Sequence, residues 1–259
     1  MKKIIKFFSF FILNSQKRKE FRKKHNYSYL KFALGRKKYK IKGANNKVIV
    51  VENGYERILS KYWIIKGLNI ELTGDNNVVR IEFPIYRLTN CNFSLLGNNN
   101  VISIKTSKFN IDNFKIGSHW GNNRTISIDE DFSTAGLRVW IEDNDSSITI
   151  GKDCMFSHDL FFRNCDGHCI LDKKGNVINK ADKTTIGNHV WIGAFVKVLK
   201  NVSIPDGCII GCGSIVNKKF IKQNCVIAGS PAKVVKEDIS WIRENFNNYS
   251  ERVINETTA

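Results

Sequence analysis

Between Thr185 and Val216 the aliphatic residues Ile186, Ile192, Val198, Ile204, Ile210 and Val216 recur every six positions without a miss. Glycine or proline follows at Gly187, Gly193, Pro205 and Gly211, with Leu199 as the one lapse. A helix would space apolar residues by three and four and a strand by two, so neither period accounts for this register. A hexad fits one flat face of a triangular solenoid, in which three hexads close a coil. The aliphatic side chain then points inward and glycine turns the corner. Short internal periods of this kind mark parallel β-helices.

A looser repeat precedes the hexads. Gly43-Ala-Asn-Asn, Gly74-Asp-Asn-Asn, Gly97-Asn-Asn-Asn and Gly121-Asn-Asn-Arg each lead into alternating Val/Ile, and Asp143-Asn-Asp-Ser-Ser-Ile-Thr-Ile150 continues the pattern. Glycine and asparagine tolerate left-handed turns, and the alternation makes a strand with one buried face. These segments read as irregular coils stacked under the regular ones. Ile150, Phe156 and Phe162 return to hexad spacing, the register breaks at Asn164, and it resumes at Ile186. The organisation expected is a basic amphipathic leader over 1–42, irregular β-helical coils over 43–147 and a hexapeptide β-helix over 148–236. An active-site loop at 164–185 interrupts it, and a C-terminal helix and tail fill 237–259. Asp238 is the expected cap of that helix, with Ile239, Ile242 and Phe246 spaced by three and four and Trp241 beside them.

The net charge of +17 is concentrated in the leader, where residues 1–42 hold fifteen Lys/Arg and one acidic residue. The apolar run Phe7 to Leu13 is too short for a membrane span, which needs about 20 residues. Residues 1–40 suit an in-plane anchor on anionic lipid or, equally, an ordinary basic helix. No RNA- or DNA-binding motif is present, so nucleic acid is not an expected partner. The seven cysteines form no C-x-x-C pair and read as small buried hydrophobes in a reducing compartment. A cytoplasmic protein is expected, peripheral at the inner face of the membrane if the leader is an anchor. No metal site is expected from the spacing.

The hexads, with the ending Val226-Ile-Ala-Gly-Ser-Pro-Ala-Lys-Val-Val235, resemble the hexapeptide-repeat acyltransferases, specifically the sugar and capsular polysaccharide O-acetyltransferase branch. The resemblance covers about residues 148 to 236. It implies a left-handed parallel β-helix, a hand opposite to the usual right-handed crossover. It also implies a homotrimer with each site between adjacent subunits, acetyl-CoA as acetyl donor and a carbohydrate acceptor, an acidic polysaccharide among the candidates.

Acyl transfer from a thioester to a hydroxyl needs a base titrating near neutrality, which favours histidine. Of His25, His119, His158, His168 and His189, only His168 lies in the inserted loop. In the resembled enzymes the base precedes the Val-Trp-Ile-Gly hexad by a little over twenty residues, and His168 precedes Trp191 by 23. Cys169 follows His168 where that family often has proline. Asp166 or Asn164 would orient the imidazole, and backbone N–H groups near Gly193 and Ala194 would meet the oxyanion. The resemblance places Trp191 at the acyl or acceptor site. It places Gly193, Ala194, Gly211, Ser214, Lys218 and Lys233 along the coenzyme. Three readings stay open beside direct O-acetyl transfer: an acyl-cysteine route through Cys165 or Cys169, N-acetylation of a nucleotide-linked amino sugar, and a non-catalytic glycan-binding scaffold.

Overall fold

The computed structural model describes residues 29–32, 39–60 and 63–257. The expected leader anchor, and His25 with it, lies outside these residues apart from 29–32 and 39–42. Lys40–Lys42 belongs to the solenoid, because it pairs in parallel with Leu68–Thr73. Leu30–Phe32 pairs antiparallel with Trp63–Ile65, and Tyr29 stacks on Phe83 at 4.2 Å. No helix among the described residues is long and apolar enough to cross a membrane.

Three eight-stranded sheets run side by side and are visited in rotation. Face 1 opens with Lys47–Glu52, face 2 with Ile85–Thr89 and face 3 with Lys40–Lys42. Each coil passes from face 1 to face 2 to face 3 and returns, so successive coils stack as parallel strands in register. On face 1, Val50, Ile81, Ile104, Ile128, Ile150, Ile186 and Ile204 lie one above another. All seven are buried, and each contributes on the order of 1.5–3 kcal/mol by leaving water. On the other two faces Ile192 and Ile210, and Val198 and Val216, stack likewise. The six-residue repeat is thus one inward residue per face. The same three sheets run through the early and the late coils.

The Gly-Asn-Asn motifs turn the corner from face 3 to face 1. Asn45, Asn76, Asn99 and Asn123 take φ between 56° and 58°. Their side chains bond along the stack, Asn45 Nδ2 to Asn76 Oδ1 at 3.1 Å and so on to Asp145. The next residue turns inward. Asn77 donates to Asn46 at 3.0 Å, Asn100 to Asn77 at 2.8 Å, and Arg124 Nε to Asn100 at 2.9 Å. Buried amides would be costly without partners, and the ladder supplies them.

The C-terminus departs from expectation. Asp238 has φ +54° and caps nothing; the helix is Phe246–Thr257, with Asn245 Oδ1 accepting from the Asn248 N–H at 3.0 Å. Residues 237–245 form an extended strap instead. It docks back along the corner between faces 1 and 2 through Ile239 N–H to Asn224 O, the buried Trp241, and Arg243. The hydrogen bonds that Arg243 makes to Asp153, Ser133 and the carbonyls of Asp131 and Cys154 outweigh local helix propensity.

Candidate active site

Strand Leu160–Asn164 lies on face 3 and the next strand in the chain, Lys183–Ile186, on face 1, so the polar segment 165–182 leaves the solenoid at the corner between them. Asp166 anchors it. Its Oδ2 accepts from Lys200 Nζ and from Asn179 Nδ2, the latter at 2.7 Å, and Asn179 also donates to the His168 carbonyl at 2.8 Å. Arg163 donates from Nε to the Cys165 carbonyl at 3.1 Å. Burial alone would raise the Asp166 carboxyl, but the bonds from Lys200 and Asn179 outweigh it and lower its pKa. The backbone on both sides of His168 is therefore fixed, while its imidazole is exposed.

Neither expected orienting group reaches that ring. Asp166 is occupied as described. Asn164 is buried and accepts from Thr184 Oγ1 at 2.8 Å, and its Nδ2 has no partner among the described residues. Cys165 is buried and its thiol lies 3.3 Å from Glu142 Oε2. Burial first, and that carboxylate second, push it up to about 12, so it supplies no thiolate near neutrality. Cys169 is exposed.

Trp191 projects outward from face 2, 37% exposed, with Trp241 of the strap 6.0 Å away. His189 stacks on Trp241 at 4.0 Å, with ring nitrogens 2.7 Å from Asp153 Oδ2 and 2.9 Å from the Trp241 carbonyl. His189 thus holds the strap. His119 lies 3.4 Å from the buried Glu142, and His158 sits 2.8 Å from Asp159.

The expected coenzyme residues divide. The Gly193 N–H donates to the Ile210 carbonyl at 2.8 Å, so it is spent on coil stacking and does not face an oxyanion. A Cβ on Gly193 would meet Cys212 N at 2.9 Å, and one on Gly211 would meet Ala228 Cβ at 2.8 Å. Those glycines admit the next coil. Ser214 is fully buried, donating to the Gly211 carbonyl at 2.6 Å and accepting from the Gly229 N–H at 3.1 Å, so it faces the core and not a ligand. Ala194 lies at the corner between faces 2 and 3, and Lys218 and Lys233 are exposed.

Not evident from the sequence are Lys200, Asn179 and Arg163, which hold the loop, and two buried charged residues near its start, Arg124, bonded to Asn100 and the Ile141 and Leu96 carbonyls, and Glu142, beside the Cys165 thiol. Arg124 had a signal: it occupies the position of Asn46, Asn77 and Asn100 in the corner motif.

A family model for "Bacterial transferase hexapeptide (six repeats)" matches residues 183–218. The chain is 36% identical over 159 residues to a polysialic acid O-acetyltransferase of Neisseria meningitidis, an alignment covering 52% of this chain and 74% of that protein. It is 34% identical over 112 residues to a polysialic acid O-acetyltransferase of Escherichia coli O1:K1, covering 43% of this chain but only 36% of that longer relative. The crystal structure of the polysialic acid O-acetyltransferase OatWY superposes with a TM-score of 0.61 at 29% identity, covering 84% of this chain and 98% of the other. The hand of the solenoid is that of these enzymes, left.

Proposed function

We propose that this chain, which belongs to the hexapeptide-repeat acetyltransferases, transfers acetyl from acetyl-CoA to a sugar hydroxyl of a capsular or lipopolysaccharide glycan or its precursor. The observation that carries the reading is the exposed imidazole of His168 on a loop whose backbone is pinned from both sides. A catalytic base needs a fixed position and an accessible nitrogen.

In the reaction, His168 takes the proton of the acceptor hydroxyl as that oxygen attacks the acetyl carbonyl. The new C–O bond forms, the C–S bond breaks, and the imidazolium returns the proton to the departing thiolate. The Ala194 N–H is the oxyanion donor assigned to this chain, because the neighbouring N–H of Gly193 is already used. Lys218 and Lys233, both exposed, are assigned to the coenzyme phosphates. Trp191 lies on face 2, the side of the prism opposite the corner that carries His168, so a complete site draws them from adjacent subunits of a homotrimer.

The test is release of coenzyme A thiol from acetyl-CoA with polysialic acid, a neutral glycan or neither. His168→Ala should lower kcat at least about 100-fold with little change in the KM of acetyl-CoA. Retained turnover in that variant, with loss in Cys169→Ser, would move the chemistry to an acyl-cysteine.

A further inference from the structure

The outer surface of face 3 is charged unlike the other two. Its strands from Cys91–Leu96 through Phe114–Gly117, Leu137–Ile141, Leu160–Asn164, Lys197–Leu199 and Ile215–Val216 contain no acidic residue at all. Lys115, Arg138, Arg163 and Lys197 project from it. Register places Lys115 beside Arg138, Arg138 beside Phe161, Phe161 beside Lys197, and Trp140 beside Arg163. Strands lie about 4.8 Å apart, so Lys115 to Lys197 spans about 14 Å parallel to the solenoid axis.

On faces 1 and 2 and at the corners, several cations are neutralised. Arg80 meets Glu56 at 3.0 Å, Lys105 meets Asp129 at 2.9 Å, Lys108 meets Asp131 at 2.8 Å and Lys152 meets Glu130 at 3.3 Å. Among the described residues, none of Lys115, Arg138, Arg163 and Lys197 has a carboxylate within ion-pair distance. Lys115, Arg138 and Lys197, unpaired in so short a strip, repel one another and create a field that an anion relieves, whereas Arg163 beside them also lowers the Asp166 carboxyl. Aromatic rings lie among them. The Arg138 guanidinium is 5.4 Å from the Trp140 ring centre and 5.7 Å from that of Phe161. The strip runs into the loop: Arg163 donates to the Cys165 carbonyl and, at 3.4 Å, to that of Asp166, two residues before His168.

We infer that this strip is the acceptor track, and that its occupant is an anionic polysaccharide lying along face 3 with one residue delivered to His168. Lys115 and Arg138 on adjacent strands, with Lys197 two strands further along the same row, match a polymer that carries carboxylates along its length. Trp140 and Phe161 offer flat apolar surface to the C–H faces of the rings. A lone phosphate group would need one convergent cluster, whereas these charges are spread in a line. The assignment of the occupant as acceptor rests on the acetyl-transfer reading; the binding itself does not.

The experiment uses the full chain and a triple variant, Lys115→Gln with Arg138→Gln and Lys197→Gln, all at exposed positions. Binding to polysialic acid, dextran and duplex DNA is measured without acetyl-CoA, across a salt series. The parent chain should bind polysialic acid above dextran and DNA. The triple variant should lose at least about tenfold in that affinity, with a flatter salt dependence. In turnover, its KM for the polymer should rise by a similar factor while that for acetyl-CoA holds, as removal of uniform binding requires. Undiminished polymer binding by the variant, a raised KM for acetyl-CoA instead, or a parent that prefers DNA would each overturn the track. His168→Ala should still bind the polymer. A parent chain that binds polysialic acid yet transfers nothing would sink the acetyl-transfer reading and leave the track standing. Transfer indifferent to the triple variant would do the reverse.

Discussion

Gly97 has φ +111°, and a Cβ built on it would lie 1.9 Å from the Gly121 carbonyl oxygen of the next coil. Gly54 also has a positive φ, +78°, but a Cβ there meets nothing within 4 Å. The pair separates backbone strain from coil stacking. Gly54→Ala should cost about 1 kcal/mol of strain, whereas Gly97→Ala should cost about 3 kcal/mol or more because the coils must also part. Urea unfolding of both variants checks this, and equal losses would mean that the close coil contact contributes nothing. At this scale the corner residues were legible, since Gly-Asn-Asn states its turn directly. The inward side chain of Ser214 was legible too: it lies two residues before the inward Val216 and so shares its direction. The anchoring of the loop by Asp166 was not legible. Its partners Lys200 and Asn179 lie 34 and 13 residues away, and no local pattern shows which will win the carboxylate.

The loop and the strap are elements of the same kind, irregular segments held by a few long-range polar contacts. The loop was legible because it interrupts a strict period; the strap, with no period of its own, was read as a helix. Its contacts are made 52 residues away at His189 and up to 112 away at Asp131, beyond any sequence window. The loop's anchor carries a pH dependence. The Asp166 carboxyl titrates below the ordinary aspartate value in the fold, so its contribution is fully present above that value. It is lost as pH falls through the lowered folded pKa. Amide exchange of residues 170–178 should therefore rise on acidification below the ordinary aspartate range, before the coils themselves open. Lys200→Ala should make the exchange fast already at neutral pH and flatten its acid dependence. An acid response unchanged in that variant would show that other groups hold the loop.

For the whole molecule the decisive feature is the triangular cross-section. His168 stands at the corner between faces 3 and 1, and Trp191 projects from face 2, the side opposite that corner. A packed core of aliphatic and phenylalanine side chains lies between them, with Phe156 and Phe162 in contact at 5.6 Å. No rotamer change brings the two together in one chain, so a site that uses both requires the corner of one subunit against face 2 of the next. This fixes the outcome of mixing two dead enzymes. In a ring of three, any trimer containing both His168→Ala and Trp191→Ala chains holds one interface at which an intact histidine meets an intact tryptophan. Random assembly from equal amounts should restore about a quarter of the parental rate. If both residues serve within one chain, every site in every mixture lacks one of them and no activity returns. Refolding the variants together and apart, then assaying thiol release, distinguishes the two arrangements without a structure of the assembly.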